Sequence, residues 1–305
     1  MKRSGLWLPF ALVFLAGVTC WGQGIIISEV AWAGTAASSA DEWIELHNPG
    51  PVAIDLEGWS VCFADTVINL GAEEGATRVL RCSTLGPGEF LLLERTDDSA
   101  VADRTADVIY AGSLGNGGCA VRVVDPDGNT VDTANGSGGM WPAGTAADGV
   151  PAFGSMERID PHMPDAPPNW RTASLKLSSG VDANDEPVCG TPGVENGATL
   201  EARHAPRIHM LRCERGSDHT ITVEWTATDP DGLASSLFID IDGSADDGAT
   251  WTRLVGGLAN GGSYVGSLAA SLSAEETEGS LLIRVTATDP DGWDGLTVSG
   301  AELRG

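Results

Sequence analysis

The sequence predicts an all-β protein, with two antiparallel β-sandwich domains in tandem behind an export signal. Three observations lead there. The chain holds 40 glycines but only 17 lysines and arginines in 305 residues, and Asp-Gly, Asn-Gly, Gly-Gly and Pro-Gly recur along it; punctuation this dense argues against long helices. Between the turns lie short apolar or alternating runs, as sandwich strands require. The N-terminus reads Met-Lys-Arg and continues into the apolar run Leu6–Val18. That is the pattern of a secretory signal, and it is shorter than the roughly 20 residues of a membrane span.

Taken in order, residues 1–23 form the signal, with cleavage expected between Cys20 and Gly24. Gly17, Val18 and Thr19 precede Cys20, a poor match to a lipoprotein signal, so a lipid anchor is not expected. The first domain, 24–197, opens with Ile25-Ile-Ile-Ser-Glu-Val-Ala-Trp32, a small-residue loop, and Asp41-Glu-Trp-Ile-Glu-Leu-His-Asn-Pro49. These read as two strands. In the second, Ile44 and Leu46 point to a core face, while Trp43, Glu45 and His47 point to a semi-polar one. Asp55–Trp59 is a turn into a strand from Trp59 to Phe63, with Trp59 and Ile44 expected in the core. Pro87-Gly88 opens a strand over Glu89–Glu94. Leu114–Gly118 turns into Cys119–Val124, and Asp125–Asn129 closes a hairpin onto Thr130–Thr133. Residues 136–168, dense in Gly and Pro, read as a long surface loop pinned by Met156 and Trp170.

Residues 198–205 are a polar connector, and the second domain spans 206–305. Ile221–Thr228 and Leu281–Thr288 alternate cleanly, and both end in Thr-Ala-Thr-Asp-Pro-Asp-Gly, at 226–232 and 286–292. At that spacing the two copies are strands of one sandwich rather than two repeats.

In the first domain the landmarks together resemble the lamin tail domain found in exported bacterial proteins. They are Ile27-Ser-Glu-Val-Ala-Trp, Asp-Glu-Trp-Ile-Glu-Leu-His-Asn-Pro, Asp55-Leu-Glu-Gly-Trp59, Pro87-Gly-Glu-Phe-Leu-Leu-Leu and Val123-Val-Asp-Pro-Asp-Gly-Asn-Thr-Val-Asp132. Ser155-Met-Glu-Arg-Ile-Asp, Asn169-Trp170 and Gly190-Thr-Pro-Gly-Val-Glu-Asn196 complete the set. The resemblance implies an immunoglobulin-like sandwich with no established active site. The acidic stretch Gly71–Gly75 departs from it and reads as an insertion. The second domain is similar to the immunoglobulin-like or fibronectin-type modules that trail exported bacterial proteins. Within it, Ser244–Trp251 resembles the Asp-box hairpin, which implies a fold-stabilising role for Asp246, Gly248, Thr250 and Trp251.

For chemistry, the formal charge of −26 repels phosphate backbones and makes nucleic acid an unlikely partner. No His-Glu-x-x-His, Gly-x-Ser-x-Gly or Gly-x-x-x-x-Gly-Lys occurs, and the histidines His47, His162, His204, His209 and His219 show no ligand spacing. No catalytic residue and no cofactor are assigned. Glu29 and Glu45, on neighbouring strands, could meet as paired carboxylates, but the expectation is an ordinary outward-facing pair. The six cysteines include no Cys-x-x-Cys, and loss of Cys20 leaves an odd number. Cys62 and Cys82 flank a hairpin-like segment and form the best disulfide candidate, the remaining connectivity staying open. Carboxylates crowd the second domain, and Asp229, Asp231, Asp289, Asp291 and Asp294, with Asp242, are calcium candidates. The competing reading, which we favour, is that Asp-Pro-Asp-Gly is turn chemistry. The overall expectation is a secreted or cell-surface, non-enzymatic binding or structural protein with an extracellular macromolecular partner. The alternative is a hydrolase or accessory subunit acting on an extracellular polymer.

Overall fold

The structure, a computed structural model, describes residues 24–71, 83–216, 218–268, 272 and 281–303. The expected signal 1–23, most of the expected acidic insertion, and Cys82 with its expected link to Cys62 lie outside the described residues.

The first unit runs through β1 (Ile26–Ala31), β2 (Trp43–His47), β3 (Ile54–Asp55), β4 (Ser60–Phe63), β5 (Thr66–Asn69), β6 (Thr84–Leu85), β7 (Phe90–Arg95), β8 (Val108–Tyr110), β9 (Val121–Val124), β10 (Thr130–Ala134), β11 (Met156–Arg158) and β12 (Trp170–Thr172). Among the described residues these form a six-stranded sheet, β12-β11-β1-β2-β7-β8, facing a four-stranded sheet, β10-β9-β4-β5, with β3 and β6 paired apart. The large sheet is antiparallel except for β7 with β8. Ile27, Ile44, Leu46, Leu91 and Leu93 from the large sheet meet Val61, Phe63, Ile68, Val121 and Val123 from the small one in a single core. Each such side chain gains about 1.5–3 kcal/mol from leaving water.

Three expectations change here. The supposedly semi-polar face of β2 is covered, since Trp43 and Glu45 are as inaccessible as Ile44 and Leu46. Trp43 packs with Ala31, Leu92, Ala100, Val101 and Val188 in a second apolar layer behind the large sheet. The stretch after β7 and the closing segment cross that face and bond to each other, Ala102 N donating to Val181 O. Periodicity could not show this, because the cover comes from distant chain. Secondly, the loop at 136–168 contains β11, whose three residues are all buried and which pairs with both β1 and β12. Met156 and Trp170 do pin it to the core. A three-residue strand is too short to display a period. Thirdly, Trp59 is only half-buried at the core margin and the strand begins at Ser60, whereas Ile44 is fully enclosed.

The connector is not irregular. Gly197–His204 forms helix α1, with Arg203 and His204 in its last turn, where positive charge complements the helix dipole. Ala198 N donates to Glu157 Oε2 (2.7 Å) and Thr199 Oγ1 to Arg158 O (3.1 Å), so strand β11 holds the helix start.

The second unit comprises β13 (Arg207–Arg215), β14 (Thr220–Thr228), β15 (Phe238–Ser244), β16 (Thr252–Ala259), β17 (Ser263–Ser267), β18 (Leu282–Thr288), β19 (Asp294–Gly300) and β20 (Glu302–Leu303). Among the described residues two four-stranded sheets result, β17-β14-β13-β20 and β16-β15-β18-β19. Ile221, Val223 and Trp225 on β14 face Ile239 and Ile241 on β15 and Ile283, Val285 and Ala287 on β18. The two copies of the repeated phrase therefore lie in opposite sheets of one sandwich, and the chain is two β-sandwiches in tandem.

Candidate functional site

The paired carboxylates come first. Glu29 on β1 lies in register with Glu45 on β2 on one side and with Glu157 on β11 on the other. Alternation from the core residues Ile44 and Met156 sends Glu45 and Glu157 to the back of the large sheet, and a register irregularity between Ile27 and Glu29 turns Glu29 to the same side. Glu29 and Glu45 do not face outward as expected, and Glu157 joins them. Glu29 and Glu45 are 0% exposed and Glu157 is 1% exposed.

The closing segment seals them in. Glu29 accepts hydrogen bonds from Ser155 Oγ, from Thr191 N (3.0 and 3.2 Å to its two oxygens) and from Thr191 Oγ1 (2.8 Å). Glu45 accepts from Ser28 Oγ (2.8 Å) and Gly193 N. Glu157 lies 3.2 Å from Thr191 Oγ1 and caps Ala198 N. Burial is the main cause of their raised pKa values. Glu29 stands well above the usual carboxylate range, with the neighbouring charges of Glu157 and Glu45 adding to burial. Burial pushes Glu45 up to about 8 and raises Glu157. Glu94, further along the same face, accepts Ala100 N and Val101 N and is also pushed up by burial to about 8. Such an arrangement braces backbone. A glycosidase pair must flank a substrate bond, and here protein N–H and O–H groups occupy that space. Glu157 and Thr191 escaped the sequence reading. Both lie in segments noted only as landmarks, and nothing local ties either to Glu29.

The turn carboxylates of the second unit divide differently. One oxygen each of Asp229, Asp231 and Asp289 come within 4.8 Å of one another. The turns after β14 and β18 meet because their strands face each other across the sandwich, not because they pair. Two of the acids also serve their own turns. Asp229 Oδ1 accepts Asp231 N (3.2 Å) and Gly232 N (3.0 Å), and Asp289 Oδ1 accepts Trp293 N (2.8 Å). Asp231 Oδ2 lies 2.5 Å from His204 Nδ1 at the end of α1, and that contact holds its pKa below the ordinary range. His204 also stacks on Trp293, with ring centroids 5.3 Å apart.

The other candidates are elsewhere. Asp291 is not in the group. Asp294 accepts from Thr288 Oγ1 (2.7 Å) and pairs with Lys176 (3.4 Å). Asp242 is buried between Arg253 (2.6 Å) and Arg284 (3.0 Å). Calcium takes six to eight oxygens; the three gathered side chains supply fewer, and two of them are engaged by backbone N–H groups.

The Asp-box stretch does what its resemblance implies. Asp246 accepts Thr250 N (2.8 Å), Thr250 Oγ1 (2.6 Å) and Ser244 Oγ (2.7 Å), which lowers its pKa to about 2. Trp251 lies beneath the Arg284 guanidinium, 4.3 Å from its carbon to the ring centre. Between the units, Arg171, Lys176, Arg207, Trp293 and Leu296 help to line a cleft of about 580 Å³. Among the described residues no helix is long and apolar enough to cross a membrane.

Residues 22–136 match the family model described as the Lamin Tail Domain. The resemblance read from the opening strands therefore holds for that segment, and β11 and β12 complete its large sheet beyond the match. No curated protein matches the chain. Solved structures similar to the chain include two at 12% identity. The fibronectin(III)-like modules of Clostridium thermocellum CbhA align with a TM-score of 0.24 over 87% of this chain and 85% of theirs. The FN1–FN3 domains of chicken CNTN1 align with a TM-score of 0.24 over 92% of this chain and 66% of theirs. Likenesses this low carry no functional argument.

Proposed function

We propose that the chain is an exported, non-enzymatic module that binds or spaces macromolecules at the cell surface or in the surrounding medium. One observation carries the choice between binding and hydrolysis. The carboxylate pair that could have served acid–base catalysis, Glu29 and Glu45, is 0% exposed beneath the closing segment, so a polymer has no access to it. The lamin tail match over 22–136 supports a binding or structural module. The basic start and apolar run at Leu6–Val18 support export. The charge of −26 favours a glycan, protein or envelope partner over nucleic acid.

The purified chain, screened against glycans, nucleic acids and cell envelopes, should be retained by a glycan or envelope fraction without turnover. Polymer turnover that disappears in Glu29→Gln or Glu45→Gln would overturn the assignment. N-terminal sequencing of secreted material should begin between residues 20 and 24, and retention of Met1 would refute export with signal removal.

A further inference from the structure

We propose that Glu29, Glu45 and Glu157 form a proton-sharing latch that holds the strap 190–198 against the back of the large sheet and lets it go as the pH rises. The strap, Gly190-Thr-Pro-Gly-Val-Glu-Asn-Gly-Ala198, contributes no strand to the sheet. Three of its backbone N–H groups, at Thr191, Gly193 and Ala198, end on the three glutamates. It lies close enough that a Cβ on Gly190 would come within 2.7 Å of Glu29 Oε1 and 2.9 Å of Trp43 Cζ2.

The geometry favours a proton on the carboxyls. Thr191 Oγ1 is 2.8 Å from Glu29 Oε2 and 3.2 Å from Glu157 Oε1. One hydroxyl donates one hydrogen. Shared between two acceptors it binds each weakly, and a carboxyl that carries a proton and donates it back makes the second contact a full hydrogen bond. Among the described residues no lysine or arginine is in ion-pair contact with any of the three. Arg104, in the stretch after β7, donates Nη1 to Gly193 O (3.1 Å) and acts on Glu45 from there. Arg171 on β12 acts on Glu157 but is paired with Glu201 of α1, whose own charge opposes it. Cys189, buried beside Glu29 and Glu157, has its thiol pushed up mainly by burial, and Ser28, Ser155 and Thr191 are neutral. Acids gathered with no cation in direct contact cannot all ionise cheaply.

The direction follows from linkage. Burial raises these glutamates, Glu45 to about 8, so the closed strap binds more protons than the open one. Closure is favoured at low pH and weakens as the pH climbs through the raised values.

Amide hydrogen exchange on the full chain, corrected for the intrinsic pH dependence of exchange, tests this. Between pH 6 and 9 the protection of Thr191, Gly193 and Ala198 should fall by about tenfold per pH unit for each proton lost, while Ile44 and Leu46 on β2 keep theirs. Glu157→Gln keeps the shape and removes one ionisable group, so it should flatten that fall. Strap protection that does not change with pH, or an unchanged fall in Glu157→Gln, would overturn the latch. Should the variant not fold, infrared spectroscopy of the unaltered chain decides. A protonated-carboxyl band persisting at pH 7 is expected, and its absence refutes the shared proton.

Discussion

Behind the large sheet of the first unit, Glu29, Glu45, Glu94 and Glu157 are buried against N–H and O–H donors, and no guanidinium among the described residues pairs with them. In the second unit, the buried Asp242 is held between Arg253 and Arg284, and Arg212 reaches Glu214 and Glu224. The same excess of acid is thus accommodated by two kinds of chemistry. Backbone donors brace a carboxyl in either protonation state, whereas a guanidinium pair demands the anion. Burial without a cation raises pKa values, and pairing opposes that rise. The two sites should therefore differ in how they answer mutation, pH and cations.

The largest effect should come from Trp43→Ala. It empties the apolar layer around Val101 and Val188, and loss of a buried Trp costs about 3–5 kcal/mol. Calorimetry should show the loss in one transition only. A matching drop in a second transition would mean that the units unfold together.

Charge removal should separate the units most sharply. Asp242→Asn leaves two arginines without their anion and should cost about 2 kcal/mol, the half-exposure of Arg253 reducing the penalty of a broken buried pair. Glu45→Gln replaces a carboxyl that already tends to hold its proton and should cost about 1 kcal/mol or less. Denaturant unfolding measures both, and the reverse order would break the comparison.

The pH response should have opposite signs. Glu45 and Glu94, raised to about 8 in the folded state, contribute stability that is whole below the ordinary carboxylate range and lost as the pH rises towards 8. Asp246 and Asp231, lowered by hydrogen bonds from Thr250 and His204, contribute stability that is present above the ordinary range and lost as the pH falls through their lowered values. Lowering the pH from 8.5 to 5.5 should raise the melting temperature of the first unit and leave the second nearly unchanged. A parallel rise in both would refute the distinction.

Trp59→Ala should cost less than Trp43→Ala, about 1–2 kcal/mol, because part of the ring stays in water in the folded state. Equal losses would place Trp59 in the core after all. The smallest effect is expected from calcium. Melting in calcium and in chelator should coincide if the Asp229, Asp231 and Asp289 group is turn chemistry with His204 as its neighbour. A clear rise in calcium, lost in a variant carrying Asp231→Asn and Asp289→Asn, would reverse that assignment.

Taken alone, the residues determined the class of the molecule and most of its strands. Alternation places Ile221, Val223 and Trp225 on one face whatever surrounds them, because successive side chains in a strand must point to opposite sides. Asp-Pro-Asp-Gly turns, the Asp-box bonds of Asp246 and the family landmarks are equally local, and the repeated phrase correctly implied one sandwich. What lies on the far side of a strand is not local. Glu45 carries the same alternation signal whether it faces water or the closing strap, and only the return of Thr191 and Gly193, far along the chain, decides between them. Likewise, Asp229 and Asp289 meet because two sheets stack, while Asp242 is drawn to arginines by register. Backbone pattern is set by near neighbours and can be read from them. Burial, protonation and access depend on which distant segment packs above a residue, and that is decided only when the whole chain closes.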